Sequence, residues 1–366
     1  MDLDVSSPVL WEEIIAYFEE RNIKPLRLCQ GSRVHWRSRA KLAVRGTSEQ
    51  PLIGLFKKGS HDVMPIPFCQ IHHPAINLAV EHIKKIIVEN KLRLYNEQTG
   101  EGDLRYIQLI VHRATGKIQA SFVLNAKNIN SKASVKWESI LKKFQEGTTK
   151  DLWHSIWLNF NDRMTNTIFG ENWHKCYGED LLWEKIGNIS VCYQPSSFGQ
   201  ANLELFEKML VRLESIIPSQ SKIAEFYAGV GVIGLFVASK SEWVRCSELN
   251  PNAEYCFSRS RFRLPKDVAS KVSFHTGVAA NMLSILDGAD VAIVDPPRKG
   301  LDGAVLAALQ TAPDLKQIVY ISCGWDGFKK DCDILLESGW RLSHGEGYWF
   351  FPGSNQVEIL AIFKKQ

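Results

Sequence analysis

The spacing of apolar side chains divides the chain into two regions with different rhythms. Residues 8–20 place apolar side chains at helical spacing between acidic ones and predict an amphipathic helix beginning at Ser7-Pro8. Basic and apolar side chains alternate over 33–45, which is strand-like. Further segments predict strands at 51–56, 105–113 and 117–124 and a helix at 74–90. This mixture predicts an α+β domain over residues 1–195.

The second region begins near Pro195-Ser196, where short apolar strands start to alternate with helices. The predicted strands are 222–227, 243–248, 271–275, 289–294, 316–321, 339–343 and 356–363. The predicted helices are 200–216, 232–240, 252–263, 279–286, 303–310 and 326–337. Apolar strands separated by helices favour parallel pairing, so residues 196–366 are expected to form a three-layer α/β domain.

Composition and charge add a candidate binding surface. The 366 residues are 45% hydrophobic and 23% charged, which excludes collagen-like, disordered and disulfide-scaffold classes. Residues 1–195 hold 26 Lys/Arg against 21 Asp/Glu, net +5, whereas residues 196–366 hold 18 against 19, net −1. Ten basic residues and one acidic residue lie within 21–58. The alternation over 33–45 predicts that its basic side chains project together: Arg33, Arg37, Arg39, Lys41 and Arg45.

Cysteine spacing and hydropathy set further bounds. No two of the eight cysteines are closer than nine residues, so the sequence has no Cys-x-x-Cys pair and predicts no metal site. No signal peptide and no apolar run of transmembrane length are recognised. We therefore expect free thiols in a reducing intracellular compartment, either the cytoplasm or, if a transit peptide has been removed, a plastid or mitochondrion.

A glycine turn is the first candidate for chemistry. Glu225-Phe-Tyr-Ala-Gly229-Val-Gly231 follows a short apolar strand and precedes a helix, an arrangement that lets the backbone approach a nucleotide-like ligand. Glu248 ends the next predicted strand, where an acid can hold a ribose hydroxyl. The pattern fits a nicotinamide dinucleotide or S-adenosylmethionine, and a simple packing turn remains an alternative.

Three further polar residues lie at the ends of predicted strands, Asp295 and Cys323 after the fourth and fifth and Glu358 near the start of the last. Asp295 is followed by two prolines, and Cys323 by a glycine. Ligands bind at the carboxyl ends of strands in such sheets, so a thiolate there is a candidate nucleophile. Glu358 is the only acid in the last apolar strand, and a buried charge must be paired or functional. A surface turn, a packed thiol and a solvated strand end are the respective alternatives.

Together these motifs resemble the RNA uracil-5-methyltransferase family. Phe198-Gly-Gln200-Ala-Asn202, the Glu225–Gly231 loop, Asp295-Pro-Pro-Arg, Ser322-Cys323 and the final Val357-Glu358 stand in family order over nearly the whole chain. His35-Trp-Arg-Ser-Arg-Ala-Lys-Leu-Ala-Val is most similar to the branch that methylates bacterial 23S rRNA. The resemblance implies a C-terminal class I methyltransferase domain with a Rossmann-like, mostly parallel seven-stranded sheet, and an N-terminal α+β RNA-binding domain.

The resemblance also assigns roles. It implies that Cys323 attacks C6 of a uridine in rRNA or tRNA, that S-adenosylmethionine donates a methyl group to C5, and that Glu358 removes the C5 proton. The implied cofactor site comprises Gln200, Tyr227, Gly229, Gly231, Glu248 and Asp295. The basic side chains of 33–45, from Arg33 to Arg45, would hold RNA phosphates. We expect a monomer without membrane association.

Several positions depart from the family pattern. Val232, Gly324 and Gln356 replace residues that are often Asn, Asn and His. Only Cys69 matches one of the four cysteines that hold an iron–sulfur cluster in the rRNA branch, so no cluster is expected. Two other functions stay open. They are a nicotinamide-dependent oxidoreductase, from the Gly-x-Gly-x-x-Gly pattern, and a catalytically inactive RNA-binding homologue.

Overall fold

The computed structural model describes residues 6–144 and 146–365. Residues 1–5, 145 and 366, which the two predicted domains include, lie outside the described residues. The first elements in chain order are α1 (Leu10–Glu20), β1 (Arg27–Gln30), β2 (Arg39–Gly46), β3 (Pro51–Phe56), β4 (Val63–Pro65), α2 (Pro74–Glu89), β5 (Leu104–Val111), β6 (Ile118–Leu124), α3 (Lys132–Lys143), β7 (Trp153–Phe160), β8 (Asn172–Gly178), β9 (Leu182–Ile186) and β10 (Ile189–Tyr193).

The remaining elements follow the predicted strand–helix alternation. They are α4 (Leu203–Ile216), β11 (Lys222–Phe226), α5 (Val232–Val237), β12 (Trp243–Glu248), α6 (Pro251–Arg261), α7 (Lys266–Ala269), β13 (Val272–Thr276), β14 (Val291–Val294), α8 (Gly303–Thr311), β15 (Gln317–Ser322), α9 (Trp325–Glu337), β16 (Trp340–Trp349) and β17 (Glu358–Lys365). Short 3-10 turns lie at Gly147–Leu152, Ala238–Lys240, Ala279–Asn281 and Leu283–Leu286. The helix predicted at 279–286 is therefore wrong, because two such turns occupy that segment.

The chain forms two compact units whose bounds differ from the predicted domains. The described part of the main unit comprises residues 6–33, Lys185–Tyr193 and 197–365. The inserted unit comprises Val34–Glu184 and Gln194–Ser196. The first 33 residues thus belong with the C-terminal region, although the sequence analysis grouped them with the front domain.

The main unit contains an eight-stranded, mostly parallel sheet in the order β1-β16-β17-β15-β14-β11-β12-β13. Only β17 runs antiparallel to its neighbours, β15 and β16. The sheet has one strand more than predicted, because β1 pairs in parallel with β16. The sequence of β1, Arg-Leu-Cys-Gln, has no apolar alternation from which a strand could be read.

Helix α1 belongs to the core of the main unit. Trp11, Ile14 and Phe18 are buried with residues of β14, β15 and β17. Gly345 and Gly347 of β16 make this possible, because a Cβ atom at either position would collide with the Phe18 or Trp11 ring. The pattern of 8–20 therefore predicts the helix correctly, while its partner lies more than 300 residues away in the sequence.

The inserted unit contains a seven-stranded sheet in the order β4-β3-β2-β5-β6-β7-β8. Its pairs are antiparallel except β6 with β7. Helix α2 buries six apolar side chains in the core of this unit. The helix begins where Pro74 follows His73, whose Nδ1 accepts a hydrogen bond from the Ala75 amide at 3.2 Å. This unit is the α+β fold that the sequence predicts.

Candidate active site

A cavity of about 580 Å³ opens in the main unit where the strands of its sheet end. It is lined by seven of the eight residues predicted as catalytic or cofactor-binding: Gln200, Tyr227, Gly229, Glu248, Asp295, Cys323 and Glu358. The strands β11, β12, β14 and β15 are parallel neighbours, so the residues that follow them meet at one edge. The topology thus brings together side chains that are up to 158 positions apart.

The glycine turn between β11 and α5 has the strained backbone that its sequence suggests. Tyr227, Gly229 and Gly231 have φ values of 61°, 55° and 77°. Nothing lies within 4 Å of where a Cβ atom of Gly229 would be, so a side chain there would occupy open space at this edge. Gly231 does not line the cavity, and a side chain at this position would meet the Phe257 ring. Its glycine is therefore required for close packing.

Glu248 connects the second strand to this turn. Its Oε2 accepts a hydrogen bond from the Gly229 amide at 2.9 Å, and its Oε1 accepts one from the Asn250 amide at 2.9 Å. The half-buried carboxylate is thereby fixed at the cavity wall, at the place where the sequence analysis expected an acid to meet a ribose.

Glu225 is the next-to-last residue of β11 and part of the glycine-turn motif, and the sequence alone gives it no role. Its side chain is buried, and its Oε2 accepts hydrogen bonds from the Gly234 amide at 2.9 Å and the Cys246 thiol at 3.1 Å. Burial raises the pKa of Glu225 to about 8. The protonated carboxyl ties the strand to helix α5 and so holds the glycine turn in place.

Cys323 and Glu358 are neighbours across two adjacent strands. Strand β15 pairs with β17 in antiparallel register, with Ser322 opposite Ile359. Cys323 directly follows Ser322 and Glu358 directly precedes Ile359, so the two residues lie next to this last pair, and both line the cavity. A thiol and a carboxyl group thus share one small space.

Burial controls the protonation of these groups. It raises the pKa of Glu358 to about 8, with help from the charge of Asp295, while Arg298 opposes the shift. Burial also raises the pKa of Asp295 to about 7. The pKa of Cys323 is raised by burial and then by the charges of Glu358 and Asp295, and Arg298 lowers it. No hydrogen bond or ion pair joins either carboxyl group to another described residue.

Three cavity residues received no role in the sequence analysis. Arg298 is the cation that faces the thiol and the carboxyl groups. Phe198 also lines the cavity and is 73% exposed, and Asn250 lies beside Glu248. The Pro-Pro-Arg run and the exposed aromatic were visible in the sequence, but only the cavity gives them a shared location.

The predicted RNA-binding side chains are not all available at the surface. Lys41 is exposed, and Arg33, Arg37 and Arg39 are partly exposed. Arg45 is only 6% exposed, forms an ion pair with Glu97 and donates a hydrogen bond to the Val44 carbonyl at 2.7 Å. The Arg45 guanidinium is thus buried and neutralised inside the inserted unit, which disfavours the predicted contact of Arg45 with phosphates.

Neither a metal cluster nor a membrane-spanning helix is present among the described residues. They contain no group of three His, Cys, Asp or Glu residues arranged to hold a metal ion. None of the helices in the described part of the chain is both long enough and apolar enough to cross a bilayer.

Known structures share this fold. The crystal structure of the Pyrococcus abyssi tRNA (uracil-54, C5)-methyltransferase in complex with S-adenosyl-L-homocysteine matches with a TM-score of 0.76 over 96% of this chain and 83% of that chain, at 22% identity. The predicted class I methyltransferase fold is confirmed by this match. No protein-family model matches the sequence.

Curated relatives match at higher identity. An uncharacterized RNA methyltransferase of Geobacter sulfurreducens is 31% identical over 343 residues, 92% of this chain and 67% of the relative. An uncharacterized RNA methyltransferase of Protochlamydia amoebophila is 48% identical over 358 residues, 98% of this chain and 93% of the relative. With such similarity from end to end, the chain belongs to the RNA methyltransferase family.

Proposed function

We propose that this protein methylates C5 of a uridine in structured rRNA or tRNA through a covalent bond between Cys323 and C6 of the base. The observation that carries the proposal is that the Cys323 thiol and the Glu358 carboxyl group line one cavity, beside the last residue pair of β15 and β17. A direct methyl transfer to a nucleophilic RNA atom would need neither a thiol nor a second acid at that place. The fold shared with a tRNA (uracil-54, C5)-methyltransferase supports the same reaction.

We further propose S-adenosylmethionine as the cofactor, since the matched Pyrococcus structure holds S-adenosyl-L-homocysteine. The cavity fits such a molecule. Gly229 leaves room for close approach, Glu248 offers a carboxylate to a ribose, and Val232 and Ile233 give an apolar wall. Gln200, Tyr227 and Asp295 would contact the rest of the cofactor. When bound, the cofactor supplies an electrophilic methyl group that uracil C5 can accept.

The cavity residues explain how a weakly nucleophilic carbon becomes reactive. The Cys323 thiol gives its proton to solvent water, and the thiolate forms a bond to C6, which moves an electron pair from the C5–C6 double bond toward C5 and O4. After C5 has gained its methyl group, the Glu358 carboxylate removes the C5 proton. The returning electron pair restores the double bond and expels the Cys323 thiolate. A carboxyl group with a pKa of about 8 is well suited to hold and release a proton near neutral pH.

A labelled methyl-transfer assay tests this function. Purified protein, S-adenosylmethionine with a labelled methyl group and transcripts of tRNA and 23S rRNA should yield 5-methyluridine, identified by mass spectrometry of RNA digests. Label on another base or atom would contradict C5 chemistry. RNA binding without label in any transcript would favour the inactive homologue. Thermal stabilisation by NAD and not by S-adenosylhomocysteine would favour the oxidoreductase.

A trapped adduct tests the mechanism. In Glu358→Gln the amide cannot remove the C5 proton, so the protein–RNA bond should persist and a denaturant-resistant complex should accumulate. The double variant with Cys323→Ala should trap nothing. Normal turnover by Glu358→Gln, without an adduct, would assign the proton removal to another group.

A further inference from the structure

A second cavity, of about 350 Å³, lies in the inserted unit and takes no part in the site described above. It is bordered by strands β2, β3 and β5 and by the segment before β8. Its volume falls at the lower end of the range of small-molecule sites, about 300–1,000 Å³. A cavity of this size can hold a group as small as one nucleotide, and it is too small for a nucleic-acid helix.

Aromatic rings form one wall of this cavity. The rings of Phe56 and His61 meet edge to face at 5.3 Å and 83°, and those of Phe56 and Tyr106 at 6.3 Å and 87°. The buried Arg45 guanidinium supports the wall, with Cζ 5.3 Å from the Phe56 centroid and 4.9 Å from that of Tyr106. Because the ion pair with Glu97 fixes the Arg45 guanidinium, the two rings pack against a group that does not move.

The charge on the cavity is positive. Lys41 lines it and is exposed, with its ammonium 4.8 Å from the centroid of the Phe169 ring. The pKa of Lys41 is lowered first because surrounding protein atoms partly remove its ammonium group from water, and then by the charge of Arg39. Among the described residues Lys41 has no carboxylate partner, and none of those lining the cavity is acidic. A cation in such surroundings favours an anionic ligand group such as a phosphate.

Polar side chains complete the rim. Asn166 is exposed and lines the cavity, and its amide can both donate to and accept from the edge of a base. The Ser60 hydroxyl accepts a hydrogen bond from the Asp62 amide at 3.1 Å and also lines the cavity. Aromatic faces, a cation and an amide in one small space are the groups with which proteins bind unpaired ribonucleotides.

We propose that this cavity binds one unpaired nucleotide of the RNA substrate, with its base against Phe56 and Tyr106 and its phosphate at Lys41. This inference rests on the proposed function in taking RNA as the substrate, and it concerns a nucleotide other than the uridine that reacts with Cys323. The cavity would act as an anchor that recognises the single-stranded part of a structured RNA, while the chemistry occurs in the main unit.

Photo-crosslinking of the full chain tests the site directly. A short single-stranded RNA containing 4-thiouridine is irradiated with the protein, and mass spectrometry maps the linked peptide. We expect links within 41–61 or at Tyr106. Competition with an unlabelled RNA hairpin that carries a single-stranded loop should remove these links, whereas a blunt RNA duplex should not.

Two lysine variants separate this site from general electrostatics. Lys41→Gln should weaken binding of the same RNA about five-fold and reduce the slope of log Kd against log salt by about 0.7. Lys127→Gln removes the same charge from an exposed position of the inserted unit, outside both the cavity and the basic stretch 21–58, and should leave both quantities unchanged. Equal effects of the two substitutions would overturn the proposal.

Two further variants test recognition of the base. Phe56→Leu should weaken binding about ten-fold, because stacking on the ring is lost. Since Phe56 is half-buried, the exposed Asn166→Ala provides a second variant that keeps the fold, and it should weaken binding about three-fold. Unchanged binding by Asn166→Ala, together with links only outside the cavity, would contradict the proposal.

The outcomes for the two proposals are distinguishable. Crosslinks within the cavity without any methyl transfer would support the nucleotide-binding site and contradict the proposed reaction. Methyl transfer with a KM that Lys41→Gln does not change would retain the reaction and remove the anchor. Loss of RNA affinity in Lys41→Gln, with kcat unchanged at saturating RNA, is the result that both proposals together require.

Discussion

The buried charged groups that we describe in the inserted unit differ in their partners from those of the main-unit cavity. In the inserted unit each buried charge that we describe has partners. Arg105 donates to the carbonyls of Asn161 and Arg163 at 2.6 and 2.8 Å, and Glu184 accepts from Arg113 at 3.2 Å. In the main-unit cavity Asp295 and Glu358 have no such partner among the described residues.

This contrast separates structural from chemical roles. Where ion pairs and hydrogen bonds offset the full cost of removing a charge from water, the group remains ionised and fixed. Without a partner the same cost shifts the pKa, and the group can exchange a proton near neutral pH.

The largest effect is expected from the Cys323 thiol, which shares the cavity with the two carboxyl groups that lack partners. Cys323→Ala should reduce methyl transfer on the order of 10⁴-fold or more, because the step that activates C5 is removed. Binding of S-adenosylhomocysteine, measured by calorimetry, should stay unchanged. Cys176→Ala, at a half-buried cysteine of the inserted unit, is the matched control and should retain activity. Comparable activity in both variants would exclude Cys323 as the nucleophile.

The next effect concerns stability and pH. The pKa of Glu358 rises from 4.5 to about 8 on folding, so the folded protein holds this proton more tightly than the unfolded chain. Wild-type stability should therefore fall as the pH rises from about 4.5 to 8. Glu358→Gln removes this dependence and should be more stable than wild type at pH 8, by a few kcal/mol at most, and equally stable at pH 4.

Thermal unfolding at a series of pH values measures this difference. The exposed Glu337→Gln serves as the control, since it lies at the end of α9 and should leave the pH dependence unchanged. A Glu358→Gln protein with the wild-type pH dependence would mean that the carboxyl group is paired, and the contrast between the units would fail.

The paired side of the contrast is tested in the inserted unit. Glu97→Gln leaves the Arg45 charge buried without its anion and should destabilise the unit by about 2 kcal/mol, less than for a fully buried pair because Glu97 is 25% exposed. Hydrogen exchange of the β5 amides, read by mass spectrometry, reports this locally. The exposed Glu101→Gln should leave the exchange unchanged. Equal exchange of the β5 amides in the two variants would mean that the Arg45–Glu97 ion pair does not stabilise the unit.

Arg45 also shows how far the sequence could predict the site. The alternation of strand β2 places Arg39, Lys41 and Arg45 on one face. It cannot show that the far end of this face is covered by Phe56 and Tyr106, which come from other strands. The alternation of a strand shows which face a side chain lies on. Whether that face is buried depends on segments that are distant in the sequence.

The same distinction holds for the main unit. Local patterns place Asp295 and Cys323 at strand ends. Ligands bind at the carboxyl ends of parallel strands, and the cavity that both residues line agrees with this prediction. The pairing of β1 with β16 and the burial of Glu225 depend on contacts that no periodicity encodes. The strand Arg27–Gln30 was not predicted for that reason. Strands β4 and β7 to β10 and helix α3 were not among the predicted elements either.

The smallest effect is expected at Arg298, the cation that faces the unpaired groups. Its charge lowers the pKa values of Cys323 and Glu358, so Arg298→Gln should raise both. The rising limb of kcat/KM against pH should then move to higher pH by less than one unit, because the guanidinium is exposed and screened by water. Arg298→Lys keeps the charge and should restore the limb.

Salt distinguishes this electrostatic effect from a lost contact. At 1 M ionic strength the screening length falls to about 3 Å, so the limbs of wild type and Arg298→Gln should converge. Separate limbs at high salt would mean that Arg298 acts through a direct hydrogen bond. In that case a partner is present after all, and the carboxyl groups of the main unit would differ from the paired charges of the inserted unit in degree and not in kind.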